Sequence, residues 1–117
     1  MKIGTDIICI DRVEKNITKY GTKFKERFLS PEEMAMAQKA ETVAGLWAAK
    51  EAISKALGCG IGGQLSFHDI VIVKNQQGAP AFTLSQEAQN RHRIKESSLS
   101  ISHDGGFAIA VVVVTQH

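Results

Sequence analysis

The chain has 117 residues, 44% hydrophobic and 22% charged, with a formal net charge of +2. That length suits one domain over residues 1–117 with a modest core, and leaves association with further copies as one way to cover the remaining surface. No apolar run is long enough to span a bilayer, and Gly4 and Asp6 break the N-terminal segment before it reads as a secretory leader, so a cytoplasmic protein without membrane contact is expected. Cys9 and Cys59 lie far apart, without CxxC or Cys/His spacing, and predict two small free thiols, with neither a zinc site nor a disulfide.

Residues Ile3 to Ile10 are mostly β-branched and apolar and predict a buried strand. Asp11 opens a helix with Glu14 three residues on, an arrangement similar to a capping box, and Gly21 ends it. Ser30-Pro31-Glu32-Glu33 is a cleaner start signal, with a capping serine, proline at the first helical position and a glutamate able to reach back. The longest helix is expected over Glu41 to Leu57, stopped by Gly58, Gly60, Gly62 and Gly63. His68 to Lys74 and Pro80 to Leu84 read as a hairpin. Ser85 caps a short helix to about Arg93, and a second hairpin turns at Asp104-Gly105 before the β-branched strand Phe107 to Thr115. The sum is an α+β fold: a small antiparallel sheet packed on one long helix, with shorter helices around it.

Several residues do not fit a purely structural role. Asp6 interrupts an apolar strand, and a buried carboxylate needs a cation or several donors. It is either a metal ligand or a strand-end aspartate bonded to backbone amides. On the long helix Val43, Leu46, Lys50, Ile53 and Leu57 share a face expected to pack on the sheet, so Lys50 must snorkel or find an anion. Glu51, Ser54 and Lys55 share the adjoining boundary face beside the glycine loop. A carboxylate, a hydroxyl and an ammonium there could hold a metal and a phosphate, or form an ordinary solvated i,i+4 pair. His103, before its glycine turn, is a phosphate donor or a surface turn residue. The glycine run from Gly58 matches neither a Walker loop nor a dinucleotide fingerprint.

Between Asp11 and Arg27 six basic residues (Arg12, Lys15, Lys19, Lys23, Lys25 and Arg27) face three acidic ones, so the segment carries +3 and the remainder of the chain −1. That field suits an acidic partner or is a solvated helix face. Nucleic acid is not expected, because no aromatic residues interleave with the charges.

The order of these signals carries more than any one of them. Gly4-Thr5-Asp6-Ile7 with Ile10 and Arg12, Phe24 to Arg27 with Leu29-Ser30 and Glu33, Trp47-Ala48-Ala49-Lys50-Glu51-Ala52 with Ser54-Lys55-Ala56 and Gly58, and Ser100-Ile101-Ser102-His103-Asp104 with Ala108 and Ala110-Val111 together resemble the four blocks of the holo-acyl-carrier-protein synthases. The resemblance covers nearly the whole chain and implies a 4'-phosphopantetheinyl transferase fold. It also implies an enzyme of fatty acid biosynthesis that moves phosphopantetheine from coenzyme A to a serine of acyl carrier protein. Residue by residue, it implies Asp6 and Glu51 as ligands of Mg²⁺, Lys55 as a catalytic cation, and Ser54, Lys55, Gly58 and His103 against the cofactor. Arg12, Lys19 and Lys23 would dock the carrier protein, and a homotrimer would place each site at a subunit interface. The chain departs at Leu46, where the family often has arginine. A metal-dependent pyrophosphate hydrolase and a non-catalytic trimeric binding module are the alternatives.

Overall fold

The computed structural model describes residues 1–117. Its organising element is helix α4, Ala40–Ala56, in which six alanines favour the helical backbone and leave little side chain to hold neighbours away. Glu41 in the first turn and Lys55 in the last complement the helix dipole. Gly58, at φ 78°, takes the left-handed conformation just past its end. The sequence predicts one apolar stripe on this helix. Instead Val43, Ala44, Gly45, Leu46, Ala48, Ala49, Lys50, Ala52, Ile53, Ser54 and Ala56 are all buried, because elements cover α4 on nearly every side.

One of those sides is a three-stranded antiparallel sheet in the order β1 (Lys2–Cys9), β5 (Phe107–Gln116), β4 (Ile94–Asp104). Its register pairs Gly4 with Val112, Asp6 with Ala110, and Ala110 with Ile101. The inner face presents Gly4, Leu99, Ala108, Ala110, Val112 and Val114 to α4, all buried. The hairpin turns at Gly105 and Gly106, both at positive φ, one residue later than the sequence suggests. β1 also differs from expectation. It is buried on one face only, and Ile3 and Ile7 are 66% and 62% exposed. Phe107, Ile109 and Val111 extend the same uncovered apolar face onto β5.

A second antiparallel pair, β2 (Ile70–Lys74) with β3 (Pro80–Leu84), follows a single 3-10 turn at Phe67–Asp69. Helix α1 (Ile10–Tyr20) packs on α4 and on α2 (Thr22–Glu26), while α3 (Pro31–Met36) contacts β2 and α5 (Gln86–His92) contacts β3. The capping box at Ser30 and Glu33 forms as its spacing requires. The one expected at Asp11 does not: Cys9 occupies the cap position, and Asp11, inside the first turn, pairs with Lys15 at 3.0 Å. Phe24, Phe28, Trp47 and Phe67 form an aromatic cluster where α2, α4 and the 3-10 turn meet. Fully burying a ring such as Phe28 stabilises by about 1.5–3 kcal/mol.

Candidate active site

Alternation along β1 turns Gly4, Asp6 and Ile8 toward the helix. A Cβ on Gly4 would overlap the Ala52 carbonyl oxygen and lie 2.8 Å from Ala56 N. Glycine therefore lets α4 approach β1 at backbone contact, and this brings the Asp6 carboxylate up beside the last turns of the helix. Lys55 Nζ donates to Asp6 Oδ1 at 2.9 Å and to the Thr5 carbonyl at 3.2 Å. The Asp6 side chain is 15% exposed and that of Lys55 54%, so the pair opens to solvent on the lysine side.

Glu51 lies one helical turn before Lys55, on the same side of α4. Its pKa is raised above the ordinary carboxylate value, first by burial and next by the negative charge of Asp6, while the Lys55 ammonium pulls the other way. Two half-buried carboxylates thus repel each other, with one ammonium as partial compensation. Such a pair could hold a hard divalent cation. Mg²⁺ suits it in particular, because this ion takes one or two carboxylates and completes its shell with waters and phosphate oxygens. No group of three or more His, Cys, Asp or Glu side chains gathers anywhere in the chain to hold a metal on protein ligands alone.

The remaining sequence-predicted residues separate into two groups. Gly58, exposed, follows directly on the end of α4 after Lys55 and Leu57. Ser54 does not share the boundary face: it is fully buried, and its hydroxyl donates to the Glu51 carbonyl at 2.7 Å, so it braces the turn that bears Glu51. His103 stands apart from Asp6, Glu51 and Lys55 within one chain. It faces Glu41 at 3.9 Å, at the boundary of two cavities that none of those three residues lines. The first of these, about 300 Å³, is walled by Leu46, Ile72, Pro80 and Ile101.

Arg12, Lys19 and Lys23 are all exposed on α1 and α2. Tyr20, 43% exposed, has Lys19 Nζ 5.1 Å and Arg27 Cζ 5.8 Å from its ring centre. An arrangement missed in the sequence lies behind Glu51. Lys50 finds its anion in Glu33, at 2.9 Å, with both side chains fully buried. The signals were separate and each visible: a lysine in an apolar stripe, and a capping glutamate, whose Oε1 takes both the Ser30 amide and Lys50.

Asp6 on the edge strand, with Glu51 and Lys55 on a buried alanine-rich helix, forms a group that could hold a metal ion and a phosphate. The chain belongs to the 4'-phosphopantetheinyl transferase superfamily, whose family model matches residues 2–112. It is 65% identical over 114 residues to the holo-acyl-carrier-protein synthase of Sulfurovum sp. (strain NBC37-1), covering 97% of this chain and 96% of that protein. Among solved structures, it resembles the Helicobacter pylori holo-acyl-carrier-protein synthase in complex with coenzyme A, with a TM-score of 0.93, 53% identity, and coverage of 97% and 99% of the two chains. The Bacillus anthracis enzyme in complex with CoA (3',5'-ADP) matches with a TM-score of 0.83 at 40% identity, covering 99% of this chain and 96% of that one.

Proposed function

We propose that this chain is a holo-acyl-carrier-protein synthase: it transfers the 4'-phosphopantetheine moiety of coenzyme A to a serine of apo-acyl carrier protein and releases 3',5'-ADP. The observation that carries the reading is the convergence of Asp6, Glu51 and Lys55 at the contact of β1 with α4, in a chain of this family. The reading places the enzyme in fatty acid biosynthesis in the cytoplasm, as one domain that works as a Mg²⁺-dependent homotrimer.

In this mechanism the carrier serine oxygen attacks the phosphorus that bears pantetheine. The bond from that phosphorus to the bridging oxygen breaks, and 3',5'-ADP leaves with the electron pair. Asp6 and Glu51 would hold Mg²⁺, which would supply positive charge against the pyrophosphate oxygens. Lys55 is exposed enough to swing from Asp6 to a phosphate oxygen, where an ammonium stabilises charge on the transferred and leaving groups. The serine proton passes to a water held by Asp6 or Glu51. Most of the rate comes from positioning and electrostatics, as in other phosphoryl transfers.

Gly58 leaves room for the cofactor beside the helix end. Ser54, buried and bonded to the Glu51 carbonyl, supports the turn that carries Glu51. His103 contacts coenzyme A in this reading only across a subunit boundary, with the nucleotide held partly by the neighbouring chain. The exposed apolar face of β1 and β5 supports such an association, since a large uncovered apolar patch marks an interaction surface. Arg12, Lys19 and Lys23 dock the acidic carrier and speed encounter.

The test is an intact mass of apo-acyl carrier protein after incubation with the chain, coenzyme A and Mg²⁺. The expected result is a gain of one phosphopantetheine, abolished by chelator. Cleaved coenzyme A with unmodified carrier would make the chain a pyrophosphate hydrolase, and intact coenzyme A with bound carrier would make it a binding module.

A further inference from the structure

The most polar part of the core lies directly behind the candidate site. Lys50 Nζ, with no solvent exposure, donates to the Phe28 carbonyl at 2.6 Å, to Glu33 Oε1 at 2.9 Å and to the Phe67 carbonyl at 3.1 Å. Glu33, equally buried, accepts from Ser30 N at 2.8 Å and from Ile72 N at 2.7 Å. One ion pair thus ties α4 to four other segments: the turn before α3, α3 itself, the 3-10 turn, and β2. No buried side-chain polar atom in the chain is left without a partner.

Stability alone is a poor reason for this arrangement. A buried ion pair loses its hydration, and an apolar replacement of similar volume is often neutral or stabilising. What the pair does supply is a fixed rotation of α4. Lys50 sits on one face of the helix, Glu51 about 100° further round and Ala52 about 200° round. The Lys50 face is held by Glu33 and two carbonyls. The nearly opposite Ala52 face is held by backbone contact with Gly4. Glu51 projects between these two clamps, toward the Asp6 side of the helix.

We propose that Glu33, acting through Lys50, is a positioning residue that sets the rotation of α4 and so holds the Glu51 carboxylate against Asp6. The inference rests on the proposed function, and it adds two residues that touch neither coenzyme A nor the metal. Supporting partners of metal-binding groups commonly change metal affinity or activity by about 10–100-fold when removed. Glu33 and Lys50 act through one helical residue, which places the expected effect at about tenfold.

The test uses the full chain carrying Glu33→Gln with Lys50→Met. This double substitution removes both charges and leaves the new amide to donate to the Phe28 or Phe67 carbonyl and to accept from a backbone amide. Three quantities are measured: thermal midpoint, Mn²⁺ affinity by calorimetry with coenzyme A present and carrier absent, and kcat with KM for carrier. The expected result is a midpoint near that of the parent chain, Mn²⁺ affinity and kcat each down about tenfold, and an unchanged KM for carrier. In a Glu51→Gln background the double substitution should cost little more, because the two changes act through one group. Parental Mn²⁺ affinity and kcat in the folded variant, or full additivity with Glu51→Gln, would overturn the proposal.

If the double variant does not fold, Glu33→Asp and Lys50→Arg keep the charges and alter only the reach of the pair. Losses in Mn²⁺ affinity and kcat are expected in each, and parental values in both would overturn the proposal. Failure of the parent chain itself to bind Mn²⁺ with coenzyme A would remove the functional reading and this inference together. Failure of the substitutions alone to matter removes only the inference.

Discussion

The carbonyl oxygen of Ala52 lies where a side chain on Gly4 would begin, so the long helix rests on the first strand with nothing between the two backbones. Both sides of that contact adjoin the site: Gly4 is two residues from Asp6, and Ala52 follows Glu51. Gly4→Ala must lift α4 from β1. Overpacking of this kind costs about 1–3 kcal/mol, and the shift also separates Glu51 from Asp6. Urea unfolding and transfer assays on one preparation should show both losses. A Gly4→Ala protein with parental stability and rate would contradict the contact.

Asp6→Ala should abolish transfer and leave the fold intact. The lost partner is a half-exposed lysine, and ion pairs of that kind contribute about 1 kcal/mol or less. The same variant tests the metal. Mg²⁺ with coenzyme A should raise the thermal midpoint of the parent chain, because a ligand of the native state stabilises it by mass action. That rise should vanish in Asp6→Ala and in Glu51→Gln. A full Mg²⁺-dependent shift in Asp6→Ala would remove Asp6 from the site.

Much of this arrangement was legible in the sequence, because local signals coincide with local structure. The Ser30–Glu33 box, the glycine stop at Gly58 and the hairpin ending in Phe107–Gln116 each depend on neighbours a few residues apart. The errors share the opposite cause. Apolar periodicity cannot tell whether a strand's second face meets its own core or solvent, so Ile3 and Ile7 read as buried. Ser54 read as a boundary residue because the number of elements around α4 is a tertiary fact, and alanine-rich helices give no clear stripe. The Glu33–Lys50 pair spans 17 residues, and its two halves read as a cap and an oddity.

Acid should weaken the junction between the 3-10 turn and α5. Asp69 accepts from Ser66 N at 2.9 Å and from the Ser85 hydroxyl at 2.7 Å, and these bonds hold its pKa below the usual 3.8, the Ser66 amide most strongly. A carboxylate whose folded pKa is depressed adds stability above its unfolded pKa and loses it as pH falls through the folded value. Asp69→Asn should therefore be less stable than the parent at neutral pH, with the deficit closing below pH 3.8. Denaturant midpoints across that range measure it. A deficit that does not change with pH would assign the loss to packing instead.

Charge reversal at Lys19 and Lys23 should act on encounter with the carrier and leave the chemistry alone. Both residues are exposed on the α1–α2 surface, and neither bonds to Asp6 or Lys55. Lys19→Glu with Lys23→Glu should raise KM for the carrier about tenfold at low salt, with kcat at saturating carrier unchanged. The difference should shrink as ionic strength shortens the screening length. An equal effect at high salt would mean that these lysines make close contacts rather than a steering field.

The outer face of the sheet is apolar and exposed. Ile7 pairs with Ile109 and Ile3 with Val113, so two adjacent strands present aliphatic side chains to one side, and Phe107 extends the row beside Cys9. In an isolated chain Ile7→Lys would cost little, since the side chain is already 62% exposed and an exposed substitution typically changes stability by about 0.5 kcal/mol or less. In a trimer closed through this face, the same lysine would bury an unpaired charge and separate the chains. Sedimentation should then give three chains for the parent and one for Ile7→Lys, and transfer should fall with dissociation, because in the proposed trimer His103 would reach coenzyme A across the boundary. A parent chain that sediments alone would sink the trimer, and an active single-chain Ile7→Lys would remove His103 from the site.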